Sequence, residues 1–87
     1  MGVVEELADK LAVETLKAMD ELGDDRFYME MSKELGAASP TLQEAFMMSI
    51  RIRLAARRGH KFLDATLSAR RKGAAPPKAP PDSSSAH

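Results

Sequence analysis

The chain has 87 residues, no cysteine, and 13 acidic against 13 basic side chains. That length holds one small domain, which buries only ~60% of the surface its unfolded form exposes. Disulfides and thiolate metal sites are excluded, His60 and His87 alone cannot complete a zinc site, and no apolar run approaches the ~20 residues that cross a bilayer.

At the start of the chain, Met1-Gly2-Val3-Val4-Glu5-Glu6 is acidic and lacks the basic and apolar regions of a signal peptide. Glu6 stands where an N-myristoylation motif requires Ser or Thr. A cytoplasmic location is expected. The spacing then predicts a helix over 3–22, with Val4, Leu7, Ala8, Leu11, Ala12, Thr15, Ala18, Met19 and Leu22 recurring at i, i+3 and i+4. Val13 and Leu16 fall at the margin of this stripe or beyond it. Gly23 is a natural residue to end the helix in a left-handed conformation.

Asp24 is suited to N-cap a second helix over 25–35, whose apolar side is Phe27, Met31 and Leu35. Gly36 is expected to stop it. Ser39-Pro40 then opens a third helix, about 40–58, with Ser as cap and Pro in the first helical position. Leu42, Ala45, Phe46, Ser49 and Ile50 form its core stripe, while Met47, Met48, Ile52, Leu54 and Ala55 place apolar groups on most other sides. A helix apolar nearly all round is buried on more than one face. Arg57-Arg58-Gly59 is expected to close it. A fourth helix over 60–72 carries Phe62, Leu63, Thr66 and Leu67 on one side. Residues 73–87 are rich in Pro and Ser and are expected to form a disordered, partly polyproline-II tail. The fold class expected is therefore all-α: a small three- or four-helix bundle over 1–72, with that tail after it.

Few residues point to catalysis. Asp24-Asp25 is a pair of carboxylates, but its place after Gly23 suits a helix start, and His60 follows Gly59 at a helix junction. No glycine-rich phosphate loop or Ser–His–Asp set is present. No enzymatic activity, cofactor, metal, membrane or small-molecule substrate is expected. Pro76-Pro77-Lys78-Ala79-Pro80-Pro81 contains a PxxP pattern, read as linker.

The six methionines are more informative, because Met suits surfaces that adapt to a partner. Met47 and Met48 are adjacent and so lie ~100° apart on a helix, too far to share one narrow core stripe. At least one is expected on a second surface. Charge is also split along the chain: residues 1–36 hold ten carboxylates and four cations, net −6, and residues 37–87 hold nine cations and three carboxylates, net +6. The halves can neutralise each other within one chain or across a dimer, or the basic half can meet nucleic acid.

Residues 31–45 bear on the second option. Ser32, Leu35, Gly36, Thr41 and Leu42 stand where the helix-turn-helix of bacterial transcription regulators has a small residue, Leu-Gly and a Thr-Leu or Thr-Val helix start. The segment resembles that motif, which implies a DNA-binding regulator built on residues 25–58. Thr41 and Gln43 would project from the recognition helix, and Arg51, Arg53, Arg57 and Arg58 would meet phosphate. The departures are a Ser-Pro cap one residue late and acidic Glu30, Glu34 and Glu44 around the motif.

The function expected first is a small protein–protein interaction or regulatory protein, including as a homo-oligomer. Its interface is expected at Val13, Leu16, Met47, Met48 and Ile52. DNA binding is the alternative.

Overall fold

The computed structural model describes residues 2–73. They fold into three α-helices with no strand among the described residues: α1 (Val3–Leu22), α2 (Phe27–Ala38) and α3 (Pro40–Arg71). The protein is all-α. It divides into two units, Met1–Leu54 and Ala55–His87.

In the first unit, α1 ends as its glycine dictates. Gly23 takes a left-handed φ of 66°, and the N–H groups of Gly23 and Asp24 both donate to the Met19 carbonyl. That arrangement satisfies a terminal carbonyl which the helix leaves open. Asp24 does not cap α2. Its Oδ1 accepts from the Arg26 N–H at 2.9 Å, forming a local turn, so α2 begins at Phe27 rather than at residue 25. A short acidic side chain competes in this way with the helix for nearby N–H groups.

Gly36 does not stop α2 either, and the helix runs on to Ala38. Ser39 alone separates α2 from α3. Its N–H donates to the Leu35 carbonyl at 2.7 Å, closing α2. Its Oγ accepts from the Leu42 N–H at 3.1 Å, capping α3. One residue therefore ends one helix and starts the next.

The core of this unit joins Ala8, Ala12, Leu16 and Met19 of α1 to Phe46 and Ile50 of α3. Phe27, Tyr28, Met31 and Leu35 of α2 pack against that cluster. The small side chains of Ala8 and Ala12 leave room for the two large ones, Phe46 and Ile50, and all four are fully buried. Burying each large side chain contributes about 1.5–3 kcal/mol.

In the second unit, α3 passes through Gly59 without a break and ends at Arg71. The helices expected over 40–58 and 60–72 are one element. A glycine stops a helix by turning left-handed, and among the described residues only Gly23 and Gly73 have positive φ. The cost of a helical glycine, about 1 kcal/mol against Ala, is offset by the Ala, Arg, Lys and Leu around it. Gly73, with φ 73°, donates its N–H to the Arg70 carbonyl at 3.1 Å beyond the helix end. The tail expected over 73–87 lies, from residue 74, outside the described residues. No described helix is long and apolar enough to cross a membrane.

Candidate protein interface

Residues two apart on a helix point about 200° away from each other, so Met48 and Ile50 face opposite sides of α3. Ile50 is in the core. Met48 remains 63% exposed, and Ile52 is 62% exposed. One turn separates the two, and together they form an apolar ridge.

A shallow groove lies on each side of that ridge, both within the first unit. One, of about 370 Å³, runs between α1 and α3 and is lined by Val4, Glu5, Asp9, Thr41, Glu44, Ala45, Met48, Ser49 and Ile52. The other, of about 540 Å³, lies toward α2 and adds Ser32, Gln43, Met47 and Arg51. The first groove has three carboxylates, Glu5, Asp9 and Glu44, and no cation in its lining. The pairing of an apolar floor with a one-signed rim suits the apolar face of a basic helix.

The structure separates the residues expected at an interface. Met48 and Ile52 are exposed, Met47 is half-buried against the core, and Val13 is half-buried. Leu16 is a correction: only 5% of it is exposed, because it belongs to the core. The buried face of α1 is Ala8, Ala12, Thr15, Leu16 and Met19: four of these belong to the apolar stripe read in the sequence, and Leu16 is added from its margin. Leu7 and Leu22 weigh heavily in that stripe yet are exposed. Ala8, Ala12, Leu16 and Met19 of this face share one core cluster with Phe46 and Ile50 of α3.

The residues of the nucleic-acid alternative are also divided. Thr41, Arg51, Arg57 and Arg58 are exposed, the last two in the second unit. Gln43 is half-buried and turned toward α2, where its Nε2 donates to the Ser32 carbonyl at 2.8 Å and to Ser32 Oγ at 3.2 Å. Arg53 Nε donates to Ser49 Oγ at 3.1 Å. The α2–α3 connection is a single residue, where a DNA-binding helix-turn-helix has three or four.

Glu5, Asp9 and Glu44 were not foreseen as part of a site. The available signal is Glu5 with Asp9, a like-charge pair at i, i+4 on one helix, which costs a few tenths of a kcal/mol unless something answers it. In the second unit, Leu63 and Leu67 are exposed at 52% and 41%. No cluster of three His, Cys, Asp or Glu able to hold a metal occurs among the described residues. Compared with known protein families, with curated proteins and with solved structures, the chain gives no significant match to any.

Proposed function

We propose that this chain is a small helical interaction module, regulatory in role, that seats a helix of a protein partner on α3. The observation that carries this reading is the exposure of Met48 and Ile52 on a helix whose opposite side, at Phe46 and Ile50, is fully buried. Each large aliphatic side chain left in water forgoes about 1.5–3 kcal/mol of burial, and the pair adjoins two grooves able to take a partner's side chains.

A photoreactive amino acid at position 48 of the full chain, activated in the native host, tests the reading. Discrete protein adducts are expected there and none at position 34, where Glu34 is exposed on α2. Equal labelling at both positions, or none at 48, would count against a docking face.

The second reading is the helix-turn-helix regulator, favoured by the exposed Thr41 and Arg51 on α3. It requires tight binding to a defined duplex that weakens steeply with salt. The short α2–α3 link and the engagement of Gln43 with Ser32 favour the protein partner instead.

A further inference from the structure

We infer that the partner is a second copy of this chain, whose basic helical segment, residues 55–71, occupies the acidic groove between α1 and α3. The inference rests on the docking reading above and names its occupant.

Charge supplies the first argument. Residues 1–54 hold eleven carboxylates and six cations, net −5. Residues 55–72 hold six cations and one carboxylate, Asp64, net +5. The groove concentrates the negative sign in Glu5, Asp9 and Glu44. The segment offers the complement: Leu63, Leu67, Arg70 and Arg71 fall at i, i+4, i+7 and i+8, so two exposed leucines and two exposed arginines share one helix face.

Spacing supplies the second. Leu63 and Leu67 are four residues apart, about 6 Å along the axis, as are Met48 and Ile52. The two aliphatic pairs can therefore pack against each other while the arginines reach the carboxylate rim. Apolar contact gives the affinity, and the rim charges set the orientation.

Stoichiometry supplies the third. Every copy carries one acidic groove and one basic segment. Two copies can satisfy both reciprocally and close as a dimer.

A charge exchange in the full chain tests this. One variant carries Asp9→Lys with Glu44→Lys, the other Arg70→Glu with Arg71→Glu, and solution mass is read by light scattering. The wild-type chain is expected at dimer mass, each variant alone at monomer mass, and their equimolar mixture again at dimer mass. Only a contact between these two surfaces restores complementarity in the mixture. A wild-type monomer, or a mixture that stays monomeric, overturns the inference. Should either variant lose its helical circular dichroism, Leu67→Ser carries the test. It should weaken the dimer Kd about tenfold or more, and an unchanged Kd overturns the proposal. A wild-type monomer that still forms adducts at position 48 with a different protein rejects the second copy while leaving the docking face in place. A monomer without such adducts rejects both.

Discussion

Gln43 and Gly36 show how a single residue acquires a purpose that its type does not announce. A Cβ built on Gly36 would come within 2.5–2.7 Å of the Gln43 amide atoms. The glycine is thus where α2 admits the side chain that donates to Ser32. Gly36→Ala gains about 0.5–1 kcal/mol of helix propensity but displaces an amide whose hydrogen bonds contribute about 1 kcal/mol. The substitution is expected to be neutral or destabilising in the wild-type background. With Gln43→Ala already present it should stabilise by about 0.5–1 kcal/mol. Denaturant unfolding of the four chains in this cycle measures the coupling, and additive effects would mean that the amide does not need the missing Cβ. The sequence reading makes Gly36 a helix stop, whereas α2 runs past it to Ala38. Its use as a gap depends on Gln43, seven residues away in another helix, and no local pattern encodes that.

Among the elements, α3 departs furthest from its sequence reading. Two positive charges followed by glycine resemble a C-terminus, yet Gly59 is helical and exposed, with nothing within 4 Å of a built Cβ. Gly59→Ala should therefore raise helical content and stability, by up to about 1 kcal/mol. A left-handed Gly59 would predict the opposite sign, so a fall in Tm would break the continuous helix. The ends of α1, by contrast, match the sequence reading at both 3 and 22, because a regular apolar period and a terminal glycine act locally. The start of α3 at Pro40 was legible for the same reason, since Ser39 and Pro40 carry their cap with them.

At the scale of the whole molecule, a short chain has placed two aliphatic pairs in water, Met48 with Ile52 and Leu63 with Leu67. The segments that contain these pairs, residues 1–54 and 55–72, carry opposite net charges. If a second copy covers both pairs, folding and association are linked, and Tm should rise with protein concentration at fixed buffer. A Tm independent of concentration over the range that spans the dimer Kd would show that the copies do not stabilise each other. Salt should weaken the association as the rim charges are screened, which separates this arrangement from a purely apolar contact.

The sequence by itself determined that the protein is all-α, where α1 lies, where α3 begins, and that Phe46, Ser49 and Ile50 are buried. Each of these follows from periodicity or from a cap within a few residues, interactions that the chain can make before it folds further. Only the tertiary structure decided that Leu16 is core, that Gly36 is a gap, and that Glu5, Asp9 and Glu44 line one groove. Those facts depend on which side of α1 meets α3. That side is chosen by the fit of Phe46 and Ile50 over Ala8 and Ala12, a matter of shape between distant residues. Hydrophobic spacing favours the largest side chains, whereas close packing favours the smallest at the point of contact, and on α1 the second criterion shifts the buried face toward Leu16 and away from Leu7 and Leu22.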